Sequence, residues 1–349
     1  MSTSAPNAVV PSSAFIRGLP KAELHLHLEG TLEPELKLRL AQRNGVDIGQ
    51  STVEQVRASY QFDSLASFLA VYYPAMEVLQ TEQDFYELAS AYLQRAASEG
   101  VRHAELFFDP QAHTSRGVPF ASVVDGYHRA TVDAAAQLGL DAQLIMCFLR
   151  DLPAESAAET LEASVPFKDK IVGVGLDSDE RGNPPSKFGA VFARARALGY
   201  RLTMHCDIDQ EGSSEHIRQV LEEIGVERID HGTNIVEDPA LVELVKSRGL
   251  GLTCCPVSNS FVTDDMKAKE IVQLLREGVK VMINSDDPAY FGAYVAGNYE
   301  ALAQQAGLGA EDLAQLARNS FEASWISADE KADYLAQVDA YLASAPPAA

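Results

Sequence analysis

In Glu23-Leu24-His25-Leu26-His27-Leu28-Glu29-Gly30, two histidines stand at positions i and i+2. On an extended strand that spacing turns both imidazoles to one face, where they can grip a single metal ion. Three later stretches add matching chemistry. His205 ends the run Arg201-Leu202-Thr203-Met204, His231 ends Arg228-Ile229-Asp230, and Asp286 and Asp287 follow the apolar run from Val279 to Ile283. Acids in that position are costly unless paired or bound to a cation. Imidazoles and a carboxylate with an open position make a borderline-soft nitrogen and oxygen site suited to zinc, which acidifies water to a pKa near about 7. The remaining histidines are read as surface or satisfied core residues: His103 within a strand, His113 in the loop after it, His128 and His216 on helices. Only the His113 loop should face the same mouth.

The elements that must hold these groups are short apolar runs, most followed by a longer stretch with helical spacing. Strands are predicted over Glu23 to Leu28, Val101 to Phe108, Ala142 to Leu149, Ile171 to Leu176, Arg201 to His205, Arg228 to Asp230, Gly251 to Cys255 and Lys280 to Asn284. Eight βα units without a change of composition predict one TIM-type (β/α)8 barrel, over residues 14–343, with a helical insertion from Pro34 to Ala97 after the first strand. Every candidate group then falls at a strand's C-terminal end, the face where such barrels build their sites. Helices are expected at Val118 to Gln137, Ser186 to Leu198, Ser214 to Ile224 and Pro239 to Ser247. Residues 1–13 and 344–349, rich in Ala, Ser and Pro, read as disordered tails. No glycine-rich dinucleotide turn follows a strand.

Composition excludes other classes. A formal charge of -22 without a basic block argues against nucleic acid and anionic lipid. No apolar run is long enough to span a membrane, and no export leader is evident, so no membrane partner is expected. Cys147, Cys206, Cys254 and Cys255 lack a disulfide-framework spacing, which suits the cytoplasm.

From about Leu19 to about Ala323 the sequence resembles the adenosine/adenine deaminase family of the amidohydrolase superfamily, its adenine branch above all. The matching stretches are Leu24 to Gly30, Gly175-Leu176-Asp177-Ser178-Asp179-Glu180, Arg228 to Gly232, and Asn284-Ser285-Asp286-Asp287-Pro288-Ala289-Tyr290-Phe291-Gly292. The resemblance implies one zinc ion per chain, held by His25, His27, His205 and Asp286, with His231 orienting the hydroxide that attacks C6 of a purine. It implies Asp287 at the purine N7 and a backbone contact from Ser178 to N3. The expected reaction is hydrolysis of adenine to hypoxanthine and ammonia, a purine-salvage activity on a small-molecule substrate. Adenosine-specific relatives usually carry Asp at the position of Glu29, so the longer Glu29 is expected to intrude into the ribose space, with Tyr290 and Phe291 narrowing the pocket.

The pattern breaks after His205. The family's proton donor is a glutamate three residues beyond that histidine, where this chain has Ile208 within His205-Cys206-Asp207-Ile208-Asp209-Gln210-Glu211-Gly212. Proton delivery to N1 needs a titratable group, which leaves Glu211, Asp207 and Asp209 as candidates, the first favoured for its reach. Alternative readings are a deaminase of adenosine or an N6-substituted purine, a purine-binding barrel without catalysis, and a barrel hydrolase cleaving an amide. The HxE with PCxxC design of other nucleobase deaminases is not met by Cys254-Cys255-Pro256-Val257.

Overall fold

Runs dense in Val, Ile, Leu and Met, with little polar alternation, suit strands that are covered on both faces. In the computed structural model, which describes residues 9–206 and 212–344, they become β1 (Lys21–Glu23), β2 (Val101–Phe108), β3 (Asp141–Leu149), β4 (Ile171–Asp177), β5 (Arg201–Cys206), β6 (Arg228–His231), β7 (Gly251–Cys254) and β8 (Lys280–Ile283). All pair in parallel in chain order, β1 through β8. This is the (β/α)8 barrel that the alternation predicts.

The first strand differs from expectation. Its regular ladder ends at Glu23, and residues 24–28 continue as single bridges, Leu26 to Asp286 and His27 to Phe107. The cause is side-chain substitution for ladder bonds: the Leu24 N–H donates to Asn284 Oδ1 at 2.8 Å. Beyond it, the Asp286 N–H reaches the His25 carbonyl (3.1 Å) and the His27 N–H reaches the Asp286 carbonyl (3.0 Å). These bonds close the barrel between its first and last strands and fix the histidine pair against Asp286.

The insertion forms helices Pro34–Asn44, Val53–Ser59, Leu65–Ala75 and Glu82–Ser98. Thr52, Ser64 and Thr81 cap the last three by accepting from backbone N–H groups, and Gly45, at φ 67°, ends the first. The outer helix expected at Ser214 to Ile224 runs as Ser213–Arg218 followed by a π-helical turn, Gln219–Ile224. Ser12 caps the helix Ser13–Gly18, and the last helix among the described residues is Ala328–Ser344, so helix includes the inner residue of each stretch read as a tail.

At the barrel's base, buried Glu105 accepts from Arg228, from His103 Nε2 at 3.1 Å and from the Trp325 N–H. The Arg228 guanidinium lies 4.3 Å from the Trp325 ring centroid. This plug fills the end opposite the candidate site. Among the described residues no helix is long and apolar enough to cross a membrane.

Candidate active site

The C-terminal ends of β5 and β6 and the segments leaving β1 and β8 bring four imidazoles and a carboxylate together. His25 Nε2 lies 3.3 Å and His27 Nε2 3.5 Å from Asp286 Oδ1. His27 Nε2 and His205 Nε2 are 3.1 Å apart, and His231 Nε2 is 3.8 Å from Asp286 Oδ2. Burial, reinforced by His25 and the other imidazoles, pulls His205 well below its ordinary pKa. Burial likewise takes His27 to about 3, against the opposing pull of Asp286, and His231 to about 4. Burial would raise Asp286, yet the surrounding histidines hold it well below the carboxylate range. Neutral imidazoles around an ionised carboxylate are what a divalent metal requires. The chain fits such an ion: His25 Nε2 is buried with no hydrogen-bond partner, and one ligand atom from each of His25, His27 and His205 lies within 4.8 Å of the others. Cys255 joins a second such group with His25, His231 and Asp286, although burial pushes its thiol far up and keeps it protonated.

Other side chains aim these groups. Thr253 Oγ1 lies 2.8 Å from His25 Nδ1 and donates to Asp230 Oδ1 at 3.0 Å, while Thr203 Oγ1 holds the other Asp230 oxygen at 2.7 Å. Ser258 donates to Asp286 Oδ2 at 2.7 Å. The Phe107 ring sits beneath His25, His27 and His205 at centroid distances of 5.1, 5.1 and 5.3 Å. Arg150, fully buried, donates to the His205 carbonyl at 3.0 Å and pairs with Glu180 at 3.3 Å. Outer partners of this kind typically tune metal affinity by about 10–100-fold. Thr253→Val keeps the shape and removes the bridge between His25 and Asp230. Metal affinity, measured by competition with a chelator, is expected to fall within that range, and unchanged affinity would show that the bridge does not orient His25.

Above the metal group opens a cavity with about 620 Å³ of space, open solvent at its mouth included. Its polar lining is His27, His205, His231, Asp109, Asp177, Ser178, Asp286 and Asp287. Leu65, Phe68, Tyr72 and Tyr73 of the insertion, with Phe291, form its walls. Ser178, His231 and Asp286 all lie in the left-handed region, at φ 73°, 57° and 64°, a conformation costly for residues with a Cβ and concentrated at working sites. Burial and the neighbouring Asp286 push Asp287 well above the carboxylate range.

Of the residues singled out in the sequence, His25, His27, His205, His231, Asp286, Asp287 and Ser178 come together here. Glu29 does not line the cavity. It is buried behind the wall, where its Oε1 accepts from His113 Nε2 (2.8 Å) and Tyr127 OH (2.9 Å). His113 lies not in a loop but in a short helix, Pro110–Thr114, directly after β2, from which it braces Glu29. Tyr290 is buried beneath the rim, stacked on Tyr60 at 4.3 Å. Asp207, Asp209 and Glu211 lie outside the described residues. Sequence reading missed Asp109 and Asp177, although Asp109 carries a signal like that of Asp286, an acid just beyond an apolar strand, in Phe107-Phe108-Asp109-Pro110.

A parallel eight-stranded barrel with three or four imidazoles and a carboxylate at the C-terminal ends of its strands defines the class of barrel hydrolases built around a bound metal. The chain belongs to the adenosine deaminase family, whose model matches residues 20–341. An adenine deaminase of Cupriavidus necator is 49% identical, over 95% of this chain and 94% of its own. The crystal structure of an adenine deaminase from Arthrobacter aurescens superposes with a TM-score of 0.89 at 43% identity, covering 93% of this chain and all of that one. An amidohydrolase of Burkholderia ambifaria with bound zinc does so with a TM-score of 0.87 at 27% identity, covering 97% and 98%.

Proposed function

We propose that this protein is a zinc-dependent adenine deaminase, converting adenine and water to hypoxanthine and ammonia. The observation that carries the reading is the convergence of His25, His27, His205 and Asp286 under a cavity that also presents Asp287, in a chain 49% identical to an adenine deaminase. One zinc ion per chain, held by those four residues, would act as a Lewis acid and supply a hydroxide nucleophile at neutral pH. The bound zinc in the Burkholderia amidohydrolase supports that choice of metal.

The protein's own groups then position the base. Asp287 meets N7 and the Ser178 backbone meets N3, so that C6 turns toward the metal group. His231, whose Nε2 faces Asp286, orients the attacking oxygen on C6. A carboxylate from the 207–211 segment, Glu211 foremost and Asp207 or Asp209 otherwise, delivers a proton to N1 and later to the leaving amine, since proton transfer needs a group within hydrogen-bond reach. The aromatic and aliphatic walls exclude water while the C–N bond breaks. Free, buried cysteines support a reducing compartment, the cytoplasm.

The test follows loss of purine absorbance for adenine and adenosine side by side, on zinc-loaded and chelator-treated protein. Conversion of adenine alone, lost on chelation and restored by zinc, is expected. Faster conversion of adenosine would overturn the substrate, and metal binding without turnover of any aminopurine would move the reading to a purine-binding barrel.

A further inference from the structure

Asp109 closes β2 at the barrel's mouth and is only 1% exposed, yet it lines the cavity. Its Oδ1 is buried and, apart from the neighbouring Asp177 carboxyl group, has no hydrogen-bond partner. Leaving a buried acceptor unpaired is unfavourable, so such a group points to a ligand that supplies the donor. The residue is also rigidly backed. Its N–H donates to Glu29 Oε1 at 3.4 Å, the same oxygen that His113 and Tyr127 hold. The Phe85 ring packs edge-on against both of those partners, at 4.8 and 5.3 Å. Glu29 is therefore a positioning residue, and the carboxyl group it supports in the cavity is that of Asp109.

The direction Asp109 serves follows from His27. The Nε2 of that ring faces Asp286, whereas its Nδ1 lies 3.4 Å from Asp177 Oδ2, and atoms of His27, Asp109 and Asp177 fall within 4.8 Å of one another. The imidazole thus separates the reacting end from a wall formed by Asp109 and Asp177, and Ser178 directly follows on that wall. In a purine, C6 and N7 lie along one edge, N3 and N9 along the other. With C6 at the metal group and N7 at Asp287, the N3 and N9 edge meets the wall of Ser178 and Asp109.

We propose that Asp109 accepts the N9–H of free adenine and thereby makes the site reject purines substituted at N9. Whether or not the carboxyl group is protonated, one oxygen remains to accept that hydrogen. A substituent at N9 removes the donor and adds bulk against a wall braced from behind. Sites built to bond a substrate N–H reject analogues lacking it by about 10⁴-fold or more.

The inference rests on the adenine reading, and the experiment separates the two. Wild type, Asp109→Asn and Asp109→Ala, all zinc-loaded, are assayed on adenine and 9-methyladenine, with adenine binding measured by calorimetry and metal content by emission spectroscopy. Asp109→Ala is expected to lose at least about 100-fold in kcat/KM and in affinity on adenine, to keep its metal, and to bring the preference for adenine over 9-methyladenine down to within about tenfold. Asp109→Asn, which retains an acceptor oxygen, should recover much of the adenine activity. An unchanged preference, or metal lost with the side chain, overturns the proposal while leaving adenine deamination intact. Adenine binding that depends on Asp109 without turnover by the wild type overturns deamination and leaves the N9 contact standing.

Discussion

Asp286→Asn is expected to yield a folded protein that retains little metal and has lost at least about 10⁴-fold of its adenine turnover. Asn is the informative replacement because Asp286 sits at φ 64°, where Asn is tolerated far better than Ala. The bridge to β1 through the His25 carbonyl and the His27 N–H uses only backbone atoms and survives. What disappears is the carboxylate charge that faces His25, His27 and His231, held ionised by their proximity. Metal sites built from imidazoles and carboxylates rely on deprotonated ligands, and without the ion the pKa of the attacking water rises back from about 7 to that of bulk water. Metal analysis after gel filtration, circular dichroism and the adenine assay check the three parts. A variant that keeps its metal and stays within tenfold of wild-type turnover would remove Asp286 from the ligand set.

Much of this site was legible because the barrel converts one-dimensional position into three-dimensional convergence. A polar residue directly after an apolar run lies at a strand's C-terminal end, and all such ends share one mouth. That reasoning put His205, His231 and Asp286 at the mouth, where the structure has them, without any knowledge of how they meet. It was available for Asp109 too, but Phe107-Phe108-Asp109-Pro110 contains no second signal such as the paired histidines. Contacts between distant residues were beyond reach. The clamp on Glu29 joins positions 84 and 98 residues apart, so nothing local told that its carboxylate would be consumed by His113 and Tyr127. The bridge from Thr253 to His25 spans 228 residues and involves a threonine of the kind that strands use for shape alone. The first strand misled for a different reason: residues 24–28 carry strand-like alternation, but Asn284 takes the place of a ladder partner.

Gly30→Ala should cost about 10³-fold in kcat/KM on adenine through a side chain that never touches the metal. A Cβ on Gly30 would stand 2.1 Å from Asp287 Oδ1 and 2.7 Å from both its Cγ and its Cα. Rotating Asp287 relieves the first two contacts but leaves the third, which is with backbone, so one of the two loops must move. Gly30 belongs to the tight turn Glu29–Thr31, tied by its own N–H to the His27 carbonyl at 3.0 Å. The loop after β8 is no freer, because Asp286 is bonded to β1 on both sides. Either displacement carries Asp287 away from the place proposed for it at N7, and misplacement by about 1 Å is enough for losses near 10²-fold. Since Asp287 directly follows Asp286, the proposed metal ligand, part of the strain also reaches Asp286, which raises the expected loss. The comparison with Asp287→Ala and the double variant identifies the route, because residues acting through one contact are non-additive. If the two losses multiply independently, or if Gly30→Ala stays within threefold of wild type, close approach of the backbone at Gly30 is not what sets Asp287.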